Sequence, residues 1–425
     1  MRLDRLHIQN FRCYEDATFD FRPGFNLVIG VNGSGKTSLL QAVAASFVEF
    51  ANAMQSEQSL TINDEVRFVV DKFQGRTRYE KKFPIMLAAK GDVLGANEWT
   101  TISLVEDWAA GTNHNLKNAV DQFLTQSLPD VKIYPDLPIL AFYRADRRWK
   151  NANISAEFAA QQKISRFSSY NNWFDAVADL KDFESWLIAK TLERMQTLLD
   201  EGSTSSELDD ELAWVNQAIR LALPQANDLR YDLRMQSLLV DMGDGQSIPF
   251  NQLSDGQRGM VALFADIARR MCILNPHMGK DVLDNTSGVV IIDELDIHLH
   301  PAWQRNIVPA LKKAFPKIQF IAASHSPQII GSLKPEEVIV LNNGDPSHPR
   351  VTYGLDSSSV LEEVMDVAQR EPEIEKLLSE LFSTLEDNDL DKAKKQLAAL
   401  KKKAPDLPEF AGAEALMRRK EILGR

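Results

Sequence analysis

The chain has 425 residues, of which 44% are hydrophobic and 25% are charged. This composition is typical of a folded globular protein, and the length allows roughly one to three domains, which excludes a single small binding module. Lysine and arginine total 48 against 60 aspartates and glutamates, giving a formal net charge of −12. Because the surface as a whole is acidic, any contact with DNA or RNA must use a local patch.

Cysteine usage and hydropathy favour a cytoplasmic protein without membrane contact. Cys13 and Cys272 lie far apart in the sequence, which excludes a disulfide framework and the paired cysteines of a structural zinc site. No apolar run approaches the roughly 20 residues of a membrane helix, and the first residues lack the apolar region of a signal peptide.

Residues 1–150 predict the first half of an α/β domain. Apolar alternation predicts short strands up to Ile29, and the pattern changes to helical spacing at Lys36. Further predicted elements are an antiparallel sheet at 60–105 layered on the core, a helix at 114–127, and a buried strand at 139–143 that ends at Arg144, Arg147 and Arg148.

Residues 151–228 predict an inserted helical lobe. Helical periodicity dominates this segment, which carries three tryptophans, Trp173, Trp186 and Trp214. Tryptophans can pack a core or form a platform on which nucleic-acid bases stack, and the helical spacing favours the core.

Residues 229–355 predict the second half of the α/β domain. Strands and helices alternate here, which is typical of a parallel sheet flanked by helices. The predicted elements are a helix at 255–274, a strand at 289–292, a helix at 302–314 and a strand at 318–323.

Residues 356–425 predict a helical C-terminal region with segregated charges. Residues 371–391 hold eight acids and one lysine, while 392–403 hold six lysines and no acid. The break around Asn388 predicts a helical hairpin. A solvated charged face is the simpler interpretation, and a docking surface for assembly is the sharper one.

Residues 30–37, GVNGSGKT, match the phosphate-loop pattern GxxxxGK[ST] between a predicted strand and a predicted helix. Glycines let backbone amides converge on phosphate oxygens, and the helix N-terminus adds its dipole. A chance match in a surface turn is the alternative, which the strand–helix context argues against. The predicted nucleotide ligands are Gly30, Asn32, Gly33, Ser34, Gly35, Lys36, Thr37 and Ser38, with Thr37 also predicted to ligate Mg²⁺.

The apolar run 289–292 ends in Asp293 and Glu294, which we predict to be the second half of the site. A buried strand would deliver Asp293 to the metal, and Glu294 would polarise the attacking water. Apolar runs that end in two acids are common and mostly structural, so the functional interpretation depends on the phosphate loop.

Residues 253–257, LSDGQ, precede a long helix with an apolar face and resemble the LSGGQ signature of ABC ATPases, with Asp255 in place of the first glycine. In that family the signature of one subunit contacts the γ-phosphate held by another, which implies a head-to-tail dimer as the minimum homo-oligomer. Simple helix capping is the alternative. The residues implicated by the resemblance are Ser254, Gly256 and Gln257.

Two residues after the Asp293–Glu294 pair match further ABC features. Asp296 matches the D-loop aspartate, and His325 resembles the switch histidine that senses the γ-phosphate. The Q-loop glutamine has no clear match, and the loose candidates are Gln161 and Gln162. His298 and His300 alternate as metal ligands can, but a structural role is favoured because no third ligand lies nearby.

Together these motifs resemble the ABC-type ATPases of the RecF, SMC and OLD group, over roughly residues 1–45 and 230–345. The resemblance implies an α/β fold, namely an ABC-type P-loop ATPase head with a mixed sheet and flanking helices, and it implies ATP and Mg²⁺ as ligands. The segment YGLDSSSVLEEVM at 353–365, followed by the acidic and then basic helices, is similar to the PtuA ATPases of Septu antiphage systems and of some retrons.

In the PtuA family the ATPase works with a separate HNH nuclease, PtuB, and the resemblance therefore implies such a partner. Two function classes stay open. Hydrolysis could drive a change in a nucleic acid or in the partner, or the nucleotide could act mainly as a regulatory ligand with little turnover. A DNA repair or recombination ATPase of the RecF or SMC type is the alternative to antiphage defence.

Overall fold

The computed structural model describes residues 1–54, 65–73, 76–104, 115–126, 134–147, 154–161, 164–176, 181–201, 209–342, 344–365, 371–405 and 407–423. The strands are β1 Arg2–Phe11, β2 Tyr14–Asp20, β3 Phe25–Ile29, β4 Arg67–Phe73, β5 Arg76–Lys82, β6 Ile85–Val93, β7 Ala96–Ser103, β8 Ile139–Tyr143, β9 Ala226–Asp232, β10 Ser237–Met242, β11 Ser247–Pro249, β12 Gly288–Ile292, β13 Ile318–Ala323, β14 Val338–Asn342 and β15 Asp345–Ser347.

The helices of the described residues follow the same chain order. They are α1 Lys36–Ser46, α2 Val48–Ala53, α3 Asn115–Gln126, α4 Ala156–Gln161, α5 Lys181–Glu201, α6 Glu211–Ala222, α7 Asp255–Leu274, α8 Val282–Asn285, α9 Pro301–Ala314, α10 Pro327–Ile330, α11 Ser357–Glu363, α12 Pro372–Glu386, α13 Leu390–Lys403 and α14 Glu409–Leu423. Short 3-10 turns connect several of them.

A six-stranded sheet forms the centre of the compact unit Met1–Asp356, in the order β15-β14-β3-β13-β12-β8. Its neighbours pair in parallel except for β14 and β15, which are antiparallel. Every residue of β3, β8, β12 and β13 is buried, because helices cover a parallel sheet on both faces. The carboxyl ends of these strands therefore meet at one edge, where the candidate site lies. The predicted α/β fold, a mixed sheet with flanking helices, is confirmed.

A second sheet is antiparallel, with the order β2-β1-β6-β7. The β4–β5 hairpin forms a separate two-stranded sheet, joined to β1 by a bridge between Phe11 and Val66. The segment 60–105, predicted as one sheet, thus divides between two. Strands β9, β10 and β11 form a third antiparallel sheet.

The helices of the predicted lobe belong to the same compact unit as the sheets, which spans Met1–Asp356. Trp173 and Trp186 are buried, so both contribute to the core. A buried ionic cluster on α7 fixes this region, because Asp266 accepts hydrogen bonds from Arg269, Arg270 and the hydroxyl of Tyr143. Removing one partner of such a buried cluster costs about 3–5 kcal/mol.

Residues Ser357–Arg425 form a second compact unit. The predicted hairpin is present as α12 and α13, and α14 packs against the same apolar core, which makes the unit a three-helix assembly. The buried core residues are Leu378, Leu381, Leu385, Ala393, Leu397, Leu400, Phe410, Ala413 and Met417. Within the described residues, no helix is long and apolar enough to cross a membrane.

Candidate nucleotide-binding site

The phosphate loop runs from the buried strand β3 into α1, where Gly35 caps the helix with a backbone φ of 103°. A β-carbon at Gly35 would lie 2.7 Å from the hydroxyl of Tyr14 and 2.9 Å from the sulfur of Cys13. Only glycine therefore combines this left-handed conformation with so close a contact. The Tyr14 hydroxyl also donates a hydrogen bond to the Gly35 carbonyl at 3.0 Å, which holds the loop against the β1–β2 turn.

A cleft of about 240 Å³ opens beside this loop. It brings together four segments of the sequence: the turn between β1 and β2, the phosphate loop, the residues after β12, and the end of β13 with the residues that follow it. The described residues that line it are Cys13, Asn32, Gly33, Gly35, Lys36, Thr37, Ser38, Asp293, Glu294, Ala323, Ser324 and His325. Gly30 and Ser34 lie in the same loop.

Two polar groups in the loop have the character of ligands for phosphate. The Lys36 ammonium donates to the carbonyls of Gly30 and Val31, both at 3.0 Å. Burial lowers the pKa of Lys36, and the carboxylates of Asp293 and Glu294 oppose that shift. The hydroxyl of Ser34 is buried and has no hydrogen-bond partner among the described residues. A buried hydroxyl without a partner is costly, and phosphate oxygens would satisfy it.

Asp293 and Glu294 follow β12 directly, as predicted, but their environments differ. Asp293 is buried, and its amide donates to the carbonyl of Tyr143 at 2.8 Å. Glu294 is exposed and adopts a φ of 46°. A non-glycine residue in this left-handed region costs about 1–3 kcal/mol, and surrounding contacts must maintain it.

Arg147 provides such contacts. Its guanidinium donates to the carbonyl of Asp293 at 2.5 Å and to the carbonyl of Glu294 at 2.8 Å. Burial lowers the pKa of Arg147 to about 10, against the opposing effect of the Asp293, Glu294 and Asp296 carboxylates. The side chain therefore stays charged at neutral pH. The sequence indicates only that a basic group follows β8. The contact of Arg147 with the Asp293 and Glu294 carbonyls could not be predicted, because it depends on β8 lying beside β12 in the sheet.

Asp296 and His325 are brought together by the loops after β12 and β13. The Asp296 carboxylate accepts a hydrogen bond from the Ser324 hydroxyl at 2.6 Å and one from the His325 amide at 3.3 Å. Burial lowers the pKa of His325, and Lys36 adds to the shift while the nearby carboxylates oppose it. The imidazole is therefore neutral at pH 7 and can donate one hydrogen bond into the cleft.

The signature-like residues occupy a different surface. Ser254 caps α7: its hydroxyl accepts from the Gln257 amide at 3.3 Å, and the Gln257 side chain accepts from the Ser254 amide at 3.2 Å. Gly256 packs so closely that a β-carbon there would lie 2.6 Å from the His298 carbonyl. Ser254 is exposed and is not among the described residues that line the cleft. Ser254 therefore caps α7 and at the same time is exposed on the surface, so the helix cap does not exclude the predicted signature role.

The remaining candidates divide into structural and unplaced residues. His300 caps α9, where its Nδ1 accepts from the Ala302 amide at 3.3 Å. His298 has a backbone φ of 60° and is exposed. Gln161 lies at the end of α4 and is not among the described residues lining the cleft, and Gln162 lies outside the described residues.

Several known proteins are similar to this chain in sequence. A family model described as "AAA domain, putative AbiEii toxin, Type IV TA system" matches residues 25–331. The chain is 28% identical to the retron Ec83 probable ATPase of Escherichia coli, with 88% of this chain and 78% of that protein covered. It is 24% identical to the Septu protein PtuA of Bacillus thuringiensis, over 92% of this chain and 91% of that protein.

Two more distant matches complete the comparison. A 28% identity to the DNA replication and repair protein RecF of Carboxydothermus hydrogenoformans covers 35% of this chain and 37% of that protein. Among solved structures, an SMC head bound to the C-winged helix domain of ScpA has a TM-score of 0.47 at 14% identity, covering 82% of this chain and 97% of that one.

Proposed function

Because the chain belongs to the AAA-domain family described as a putative AbiEii toxin of type IV TA systems, we propose that it binds and hydrolyses Mg-ATP to control an antiphage defence complex. One observation carries the proposal. A single cleft collects the phosphate loop, the Asp293–Glu294 pair and His325, and these are the groups that phosphoryl transfer to water requires.

ATP binding would use the loop first. The Lys36 ammonium, which now donates to two loop carbonyls, would turn to the β- and γ-phosphates, where its charge is better compensated. The buried hydroxyl of Ser34 and the N-terminus of α1 would supply further donors.

Thr37 and Asp293 form a hard oxygen donor set of the kind that Mg²⁺ prefers, and both line the cleft. They would hold the metal ion together with substrate oxygens. When bound, Mg²⁺ neutralises charge on the β- and γ-phosphate oxygens.

Hydrolysis would depend on Glu294. Its exposed carboxylate would accept a proton from a water molecule while the water oxygen forms a bond to the γ-phosphorus. The bond from that phosphorus to the bridging oxygen breaks, and ADP and phosphate are released. Neutral His325 would donate a hydrogen bond to the γ-phosphate and so report its presence.

A head-to-tail dimer would complete the site. Ser254 lies exposed at the N-terminus of the 20-residue helix α7, where amides and the helix dipole favour an anion. Asp255 departs from the ABC signature, but its carboxylate pairs with Arg258, which offsets the added negative charge. The signature of one copy would thus meet the γ-phosphate bound by another, with Gly256, Gln257 and the D-loop residue Asp296 supporting that interface.

The partner is proposed from the relatives. Similarity to retron and Septu ATPases over most of the chain favours antiphage defence with an HNH nuclease such as PtuB. A repair ATPase of the RecF type is a weaker candidate, because that similarity covers about a third of the chain.

The C-terminal unit is proposed as the assembly element. Three of its lysines pair with acids of the same unit, namely Lys394 with Glu421, Lys401 with Glu414 and Lys403 with Glu373. Exposed pairs stabilise by only about 0–1 kcal/mol each, which leaves room for a role in choosing partners. Deleting 371–425 should preserve ATP binding and weaken the complex. Full co-purification of the truncated chain with the nuclease and normal oligomerisation would contradict this role.

A phosphate-release assay tests the proposed activity most directly. The purified chain is assayed with Mg-ATP, alone, with a candidate HNH nuclease partner, and with DNA. Release above that of the Glu294→Gln variant supports hydrolysis. Tight ATP binding without release would instead support the regulatory-ligand alternative.

A further inference from the structure

The β4–β5 hairpin has an exposed face that no described element covers. Cross-strand pairing places Phe68 opposite Lys81 and Val70 opposite Tyr79, so these four side chains share one face. Phe68 is 53% exposed, Val70 51% and Tyr79 71%. A two-stranded hairpin that exposes its aromatic residues is marginally stable alone, and clusters of exposed apolar side chains mark interaction sites.

The opposite face of the hairpin is tied to the body of the unit. Arg67 pairs with Glu15 at 2.7 Å, and Lys82 pairs with Glu80 at 3.2 Å along the hairpin. At the base, the Arg12 amide donates to the Glu65 carbonyl at 2.8 Å. Cys13, the next residue, lines the nucleotide cleft. The hairpin is thus anchored on one face and exposed on the other, and its base lies next to the turn whose Cys13 lines the cleft.

The positive charge of the hairpin favours a negatively charged partner. Residues 67–82 contain six basic and two acidic residues, a net charge of +4 in a chain of net charge −12. The Lys81 ammonium lies 5.7 Å from the centre of the Phe68 ring, so a cation and a ring share the exposed face. Such a surface complements a polyanion that also presents flat aromatic groups.

We propose that this exposed face, Phe68, Val70, Tyr79 and Lys81, is a binding site for single-stranded nucleic acid. The inference extends the proposed function by assigning the nucleic-acid contact to a specific surface. Phe68 and Tyr79 are diagonal neighbours across the strands, roughly 7–8 Å apart, so two successive unstacked bases can stack on them. Lys81, on the same face, would accompany the phosphate backbone. Duplex DNA keeps its bases stacked on each other and gains only the charge contacts.

Fluorescence anisotropy of the full chain tests the site without nucleotide, so that its result does not depend on ATP hydrolysis. The probes are labelled oligothymidylate and oligouridylate of about 20 nucleotides, longer than the roughly 4–16 that one single-strand module covers. Tyr79→Ala and Phe68→Ala should each weaken binding about tenfold. Lys81→Gln should reduce the salt dependence of the affinity by about one phosphate contact. Tyr353→Ala, which removes an equally exposed tyrosine (69%) elsewhere in the unit, should bind as the wild type does.

The outcomes separate clearly. Loss of binding in the hairpin variants alone, at unchanged melting temperature, supports the site. Equal binding by all variants, or binding by none including the wild type, overturns it. If the hairpin variants instead change only the mass measured by light scattering, the face is an interface between copies and the proposal is wrong. The proposed ATP binding is tested separately, by titrating the same samples with nucleotide, so that a failure of that proposal can be distinguished from a failure of this one.

Discussion

The cleft and the signature surface of this chain are built in opposite ways. The cleft is assembled within one copy: loops from β3, β12 and β13 converge, and Arg147 and Tyr14 hold their backbones in place. At the signature surface, Ser254 caps helix α7 and is exposed. It is not among the described residues that line the cleft of its own copy. We propose that the first region binds nucleotide within one copy and that the second acts on a neighbouring copy.

That difference separates two kinds of residue. Changes in the cleft should affect each copy independently, whereas changes at Ser254 should matter only where copies meet.

Glu294→Gln should lower the hydrolysis rate constant by roughly 10²–10⁴-fold, because it removes the carboxylate proposed to accept the proton of water. ATP should still bind, since size and hydrogen bonding are kept. Persistent ATP should also raise the mass of the particle in light scattering. The control is Glu336→Gln, an exposed acid away from the cleft. A normal rate in Glu294→Gln would exclude the proposed role.

Lys36→Ala should weaken Mg-ATP binding by roughly 10- to 100-fold, because a charge-assisted contact with phosphate is lost. Titration calorimetry measures the change, and antiphage protection should be abolished with it. Lys90→Ala, which removes an exposed lysine paired with Glu98, provides the control. Unchanged affinity would show that the cleft is not the nucleotide site.

Arg147→Gln should lower the rate constant about tenfold while ATP affinity stays the same, because two hydrogen bonds to the Asp293 and Glu294 carbonyls are lost. Amides of residues 295–299 should exchange hydrogen faster, and Arg147→Lys should recover part of the rate. Arg166→Gln is a close control, since Arg166 also donates to two backbone carbonyls, those of Leu274 and Pro135, away from the cleft. If Arg147→Gln and Arg166→Gln lowered the rate constant equally, Arg147 would have only a general structural role and the prediction would be wrong.

His325→Gln should change stability only on the acid side. The pKa of His325 is lowered in the folded chain, so the unfolded chain takes up a proton first as pH falls below about 6.5, and the free energy of unfolding decreases. The substitution should remove that decrease, because glutamine does not titrate. Urea unfolding at about pH 7.5 and about pH 5.5, with His7→Gln as control, measures it. An identical pH response with and without His325 would contradict the assignment.

Sequence patterns predict those elements whose structure is determined by neighbouring residues. Helix α7 and strand β13 have the predicted bounds, since a serine cap begins the one and a continuous apolar run defines the other. The phosphate loop, Asp293 and Glu294 were predicted from short motifs, and the strand ends place them around one cleft.

The parts that sequence patterns missed depend on long-range contacts. Arg147 reaches the Glu294 carbonyl only because β8 lies beside β12. The split of the predicted antiparallel sheet into two, and the packing of α14 into the C-terminal core, likewise follow from tertiary contacts that periodicity does not encode. The left-handed conformation of Glu294 had no sequence signal, since glycine or asparagine would be the usual residue there.

We propose that a working site combines the cleft of one copy with Ser254 of another. Ser254→Asp keeps a good helix cap but places a carboxylate where the γ-phosphate would bind. Each of Lys36→Ala and Ser254→Asp alone should be inactive in phosphate release. Mixed in equal amounts they should recover up to about one quarter of the wild-type rate, because half of the dimers are mixed and each has one intact site of two. No recovery on mixing, while the wild type is active, would contradict the head-to-tail site.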